Sequence, residues 1–100
     1  MSRNRVEIDG KVLTGDGLRH TPAGIPVLKF RLAHASQQSE AGRERTVGCE
    51  IDALAFGDIA AKLAACPPES MLRLTGFLDR MSVRTPLPNL HVTEFEIIKE

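Results

Sequence analysis

The residues of this chain that could do chemistry are basic side chains set along short apolar alternations. They are Arg19 and His20, Lys29 and Arg31, Arg43 and Arg45, and then Arg73, Arg80 and Arg84. Cations spaced along a surface can track a phosphate backbone, and flat groups between them give unpaired bases a platform for stacking. Tryptophan and tyrosine are absent, which leaves Phe30, Phe56, Phe77 and Phe95 as the aromatic residues. Phe77 is the candidate platform, because it alternates to the same side as Arg73 and opposite Leu74 and Leu78. It reads equally as the cover of a dimer seam or as packing under a helix. Phe30 falls on the apolar side of its segment and reads as core. Lys29 and Arg31 share one face of one strand, and His20 beside Arg19 suits a phosphate or a base edge. Each of these cations also reads as an ordinary solvated charge, Arg43 most of all with Glu40 and Glu44 near it.

Other chemistries find little support. His20, His34 and His91 match no zinc-site spacing, and His34 lies on the Phe30–Leu32 side, where a hydrogen-bonded structural role is expected. Gly15–Gly17 (GDG) lacks the strand-then-helix setting of a nucleotide cradle, and no nucleophile stands near a base. The expectation is binding rather than catalysis, with no cofactor and no metal. Thirteen Lys and Arg balance thirteen Asp and Glu, so any attraction for a polyanion must be local. Cys49 and Cys66 have no CxxC spacing and read as reduced, core-filling thiols. The opening MSRNRVEIDG has no apolar h-region, and no run approaches a membrane span, so a soluble cytoplasmic protein is expected.

The elements that must position these groups follow from period-2 alternation. Residues 4–15 place Val6, Ile8, Gly10 and Val12 on one face, with Gly10 where a strand would bend sharply or bulge. Residues 16–25 read as a turn-rich loop, with Pro22, Gly24 and Pro26 restricting its exit and Ile25 anchoring it to the core. Residues 26–36 form the second strand, 37–44 a flexible polar hairpin tip, and 45–56 the third strand. In that third strand Val47, Cys49 and Ile51 face inward, and Thr46, Gly48 and Glu50 outward. Asp58 is the expected N-cap of a short helix ended by Pro67-Pro68. Strands at 71–81 and 89–99 flank an irregular loop, and the parity slips between Val92 and Phe95 as a bulge would cause. One domain over residues 1–100 results, all-β: a five-stranded OB-fold barrel (Greek key) with one short helix between strands 3 and 4.

The opening NRVEIDGKV, the segment TPAGIPVLKFRLAHAS, the polar EAG tip and TGFLDR together resemble the primosomal replication protein N (PriB) family. That family consists of OB-fold relatives of bacterial single-stranded DNA-binding protein (SSB), and the resemblance spans essentially the whole chain. It implies an OB fold, a homodimer, single-stranded DNA binding without strong sequence preference, and assembly with the primosomal helicase and other primosome proteins at stalled forks. Its setting would be the bacterial cytoplasm, associated with the nucleoid at replication forks. Better-known relatives carry a tryptophan in the third strand where this chain has Gly48, and a basic residue where it has Ala35. Weak, salt-sensitive binding to DNA is therefore expected. A reading from another class stays open: a dimeric adaptor that keeps the scaffold for protein partners and has little direct DNA binding. Val47-Gly48-Cys49 and the polar face of the first strand are the candidate pairing surface.

Overall fold

The computed structural model describes residues 1–13, 15 and 17–99, and in it the alternations become a coiled sheet. The elements are β1 (Val6–Val12), β2 (Leu18–His20), β3 (Pro26–Glu40), β4 (Arg43–Phe56), α1 (Asp58–Ala64), β5 (Met71–Arg80) and β6 (Pro88–Lys99). Thr14, Asp16 and Glu100 lie outside the described residues, and with Asp16 the middle of the GDG segment.

Strand pairing runs in a ring. From Val6 to Lys11, β1 pairs antiparallel with β5, and Lys11 and Val12 then pair with Ala33 and Leu32 of β3. β5 pairs with β6, β6 runs parallel to β4 at Ala53↔Leu90 and Leu54↔His91, and β4 pairs with β3. The ring therefore passes through five strands and returns to β1. Gly10 sits beside Lys11, where β1 changes partner from β5 to β3, and β3 approaches it closely. A Cβ at this position would lie 2.9 Å from Leu32 Cγ and would run into the Ala33 carbonyl.

Inside the ring lie Leu28, Phe30, Leu32, Leu72, Leu74 and Leu90, joined by Ala60 and Leu63 of α1. Phe30 is 5% exposed, as its parity requires. Burying such side chains contributes roughly 1.5–3 kcal/mol each, and the strict alternation on β3 and β5 decides which side they take.

Four local expectations are corrected. The 16–25 segment contains a strand, β2, which pairs with residues Pro26–Leu28. Ile25 is 46% exposed; the loop holds itself instead through Thr21 N–H to Ile25 O and Gly24 N–H to Thr21 O, at 2.9 and 2.8 Å. The polar tip is not a loop: β3 and β4 stay paired from Val27↔Phe56 out to Glu40↔Arg43. Only Ala41 and Gly42 turn the chain, both at positive φ, which matches the twist of a two-residue hairpin loop. The N-cap of α1 is Gly57, at φ 77, with Asp58 as the first helical residue. There Asp58 still complements the helix dipole.

The long hairpin also explains Cys49. Parity sends it to the same side as Ile51, but beyond the barrel that side has no core to enter, so Cys49 is exposed. Cys66 packs partly against the core. The slip foreseen in the last strand is present, because Thr75 pairs with Glu94 and Gly76 with Val92, leaving Thr93 as the extra residue.

Candidate nucleic-acid interface

Partners directly opposite in a sheet project to the same face, so the register shows which side chains share a surface. On the outside of the barrel one row runs Lys29 (β3), Leu54 (β4), His91 (β6), Phe77 (β5). The row above it holds Arg19 of β2, Val27 and Phe56. The row below pairs Arg31 with Asp52.

Within this surface the rings stack. Phe77 and His91 lie 4.9 Å apart at an interplanar angle of 10°. His91 and Phe56 follow at 6.3 Å and 26°. Phe56 is 49% and Phe77 39% exposed, so the two ends of the ladder face solvent. Leu54 is 7% exposed although it alternates to the outer side and stands apart from the core cluster. It is the apolar floor beside the ladder. A groove lined by Lys29, Arg31, Leu54, Phe56, Arg80 and His91 opens on one side of the ladder, and Phe77 lines a neighbouring cavity with Phe56 and His91.

Electrostatics divide the cations. Among the described residues, Lys29 and Arg80 have no ion pair. Arg31 has two: Nε donates to Glu50 at 3.2 Å and Nη1 to Asp52 at 2.8 Å. Asp79 also lines the groove, and its carboxylate accepts from the Arg80 backbone N–H at 2.8 Å.

The structure brings Arg19, Lys29, Arg31, Phe77 and Arg80 onto or beside this surface and leaves other candidates elsewhere. Arg73 lies further along β5 and is committed to Asp9, with Nε and Nη2 donating to the two carboxylate oxygens at 2.8 and 2.9 Å. Glu96 adds a looser contact at 3.7 Å. Those hydrogen bonds hold the Asp9 carboxyl below its ordinary range against the opposing effect of burial, and they raise the Arg73 guanidinium. Arg43 and Arg45 alternate to the opposite surface of the hairpin, where Arg45 pairs with Glu40. His20 pairs with Pro26 and so projects away from Arg19. Arg84 is exposed in the loop after β5, which is closed by Met81 N–H to Leu87 O at 3.0 Å.

His34 has the structural role its position suggested. Its Nδ1–H donates to the Asp9 carbonyl at 2.7 Å, which leaves Nε2 to accept from the Ser36 hydroxyl at 2.8 Å. The ring ties the base of the hairpin to β1.

Phe56, His91 and Leu54 escaped the reading by residue type. The outward parity of Gly48 and Glu50, carried on along β4, reaches Leu54 and Phe56 and was the available signal. His91 had none, because its neighbours come from the parallel β4–β6 contact and the Thr93 bulge.

A model described as another single-strand binding protein family matches residues 4–94. The replication restart protein PriB of Bordetella pertussis is 43% identical over 75 residues, covering 75% of this chain and 70% of that one. That of Nitrosomonas europaea is 34% identical over 98% of this chain and 91% of its own. Among solved structures, the protein PriB from Ralstonia solanacearum superposes with a TM-score of 0.85 at 29% identity, over 97% of this chain and 99% of that one. The wild-type single-stranded DNA binding protein from Thermus aquaticus shares the fold, with a TM-score of 0.76 at 18% identity over 97% of this chain and half of that one.

Proposed function

We propose that this chain, which belongs to the PriB family of single-strand binding proteins, is a replication restart protein that binds single-stranded DNA across the outer face of β3, β4, β6 and β5. The observation that carries the reading is the row Lys29–Leu54–His91–Phe77 with Phe56 beside it. It sets a cation that has no ion pair among the described residues next to a ladder of stacked rings with exposed ends. Backbone phosphates would follow Arg19, Lys29, Arg31 and Arg80, while bases stack on the exposed faces of Phe56 and Phe77. Stacking is indifferent to base identity, which suits binding without strong sequence preference. Arg43, Arg45, Arg73 and Arg84 have at most a long-range share in it.

The test is a titration of labelled oligo-dT at several salt concentrations, repeated with an abasic strand of equal length. Each phosphate neutralised on a single strand contributes about −0.7 to the slope of log K against log salt. The parent should show a negative slope and prefer oligo-dT to the abasic strand. Truncating Phe77 or Phe56 to Ala should remove that preference and leave the slope. A slope near zero would remove the electrostatic part of the reading.

Finer features belong to the same proposal. The chain helps to assemble the primosomal helicase with other primosome proteins at stalled forks, in the cytoplasm and associated with the nucleoid. It acts as a homodimer. Among the described residues the edge of β1 from Val6 to Gly10 that faces away from β5 has no strand partner, and exposed Gly48 and Cys49 lie on β4 of the hairpin tied to β1. Such an edge suits pairing with a second copy, and sedimentation at low micromolar concentration reads it out. The adaptor reading draws support from one observation, the carboxylates of Asp52, Asp79 and Glu50 on the binding face. Retention of the primosomal helicase in a pull-down, together with no detectable oligonucleotide binding, would favour it.

A further inference from the structure

Arg31 lies on the binding face in the row below Lys29, and two of its nitrogens already face carboxylates. A guanidinium captures phosphate best with two parallel N–H groups, either Nε with Nη2 or Nη1 with Nη2. In this chain Nε is held by Glu50 at 3.2 Å and Nη1 by Asp52 at 2.8 Å. Each of the two bidentate edges therefore includes a nitrogen already engaged by a carboxylate. A phosphate that takes either edge must compete with Glu50 or Asp52 for the guanidinium. The pairs are exposed, with Arg31 at 47%, Glu50 at 54% and Asp52 at 38% side-chain exposure. Exposed pairs of this kind are weak, so they contribute little to the fold. Their consequence falls on the ligand.

We infer that Glu50 and Asp52 form an internal latch on Arg31, occupying the donors a phosphate would use and lowering the affinity for single-stranded DNA. The inference rests on the DNA-binding reading above and assigns Glu50 and Asp52 a role in it. β4 supplies both carboxylates and β3 the arginine, with Asp52 directly opposite Arg31 in the register. The contact is thus built into the sheet and does not depend on a mobile loop.

The experiment compares the parent chain, Glu50→Gln, Asp52→Asn, the double variant, and each with Arg31→Ala, by anisotropy of labelled oligo-dT across a salt series. The isosteric amides remove charge and keep shape. At low ionic strength the double variant should bind about tenfold tighter than the parent, from one charge-assisted phosphate contact regained by the freed guanidinium. Its log–log slope should steepen by about 0.7, the value of one added phosphate contact. In the Arg31→Ala background the same two amide substitutions should bring no gain, since the latch acts through that side chain. Glu69→Gln, at a carboxylate that pairs with Lys11 away from this face, controls for net charge and should give less than twofold. Thermal melts confirm that each variant is folded.

Unchanged or weaker binding by the double variant, in a parent that does bind, overturns the latch alone. A gain that survives Arg31→Ala overturns it as well, by showing a diffuse charge effect. Absence of salt-sensitive binding in every variant overturns the DNA-binding reading, and the latch with it.

Discussion

Replacing Gly76 by Ala tests whether the ladder is set by the backbone beneath it. Gly76 is buried on β5, opposite Val92 and next to the Phe77↔His91 pair. A Cβ there would fall 2.8 Å from the His91 carbonyl carbon and 3.1 Å from Val92 Cα, and closer still to the His91 carbonyl oxygen. These are backbone atoms, so no rotamer change relieves the overlap. β6 would have to move away from β5 at the bulge, carrying His91 out of its stack with Phe77. Overpacking in a core usually destabilises by about 1–3 kcal/mol, and the upper end is expected where backbone must shift. For a domain of this size about 3 kcal/mol lowers the melting temperature by more than ~12 °C. Urea and thermal unfolding followed by far-ultraviolet circular dichroism would measure it. Gly48→Ala is the control, because its Cβ would meet only the His34 carbonyl oxygen at 3.4 Å, an ordinary contact. It should stay within ~0.5 kcal/mol of the parent, as surface substitutions do. If Gly76→Ala is as mild as Gly48→Ala, the close approach of β6 does not fix the ladder and the reasoning fails.

Four other outcomes can be checked. Gly10→Ala should destabilise by about 2 kcal/mol in the same unfolding assay, since its Cβ meets Leu32 and the Ala33 carbonyl where β3 approaches β1. Ala41→Asn, at φ 53 in the hairpin turn, should stabilise by about 0.5–1 kcal/mol because asparagine tolerates the left-handed region better. Asp9 has its carboxyl lowered by Arg73, so its share of stability is complete above the unfolded carboxylate range near pH ~4 and fades as the pH falls through the lower folded value. Asp9→Asn should therefore cost a few degrees of melting temperature at neutral pH and flatten the acid limb of the stability curve. Gly48→Trp, at an exposed site, should tighten oligo-dT binding by about fivefold or more, the lower end for one added base–aromatic stack.

The barrel was legible because its strands bury one face only. Leu28, Phe30 and Leu32 against Lys29 and Arg31, or Leu72 and Leu74 against Arg73, leave a single way round for each strand. Gly10 marked the close approach of β3 and the Val92–Phe95 slip marked the bulge for the same reason: each breaks an otherwise strict period. The hairpin beyond the barrel carries no such pattern. Gln37–Glu44 is polar on both faces, so its strand character comes from a two-residue turn closing a long ladder and not from burial. Alternation likewise could not say where the inside stops, and Cys49 was assigned to a core that ends at Ile51. The site was less legible than the fold because charge type does not reveal partners. Arg73 and Arg31 look alike in the sequence. One is held by Asp9 from 64 residues away, the other by carboxylates on the neighbouring strand.

On the proposed reading, the ladder and the latch would act on different parts of one binding equilibrium. Stacking on Phe56 and Phe77 would involve few counterions, whereas a contact at Arg31 would set part of the salt slope. Removing a ring should thus shift affinity by the same factor at every salt concentration, and removing Glu50 and Asp52 should help most where salt is low. Both changes are expected chiefly in the dissociation rate, since affinity differences among variants of one interface lie mostly there. A chain with glycine at position 48 and with Arg31 partly occupied would then release a strand quickly at physiological salt. Fast release lets a strand pass to another protein without being pulled away. The double latch variant, with its slower dissociation, is the form in which such transfer should be retarded.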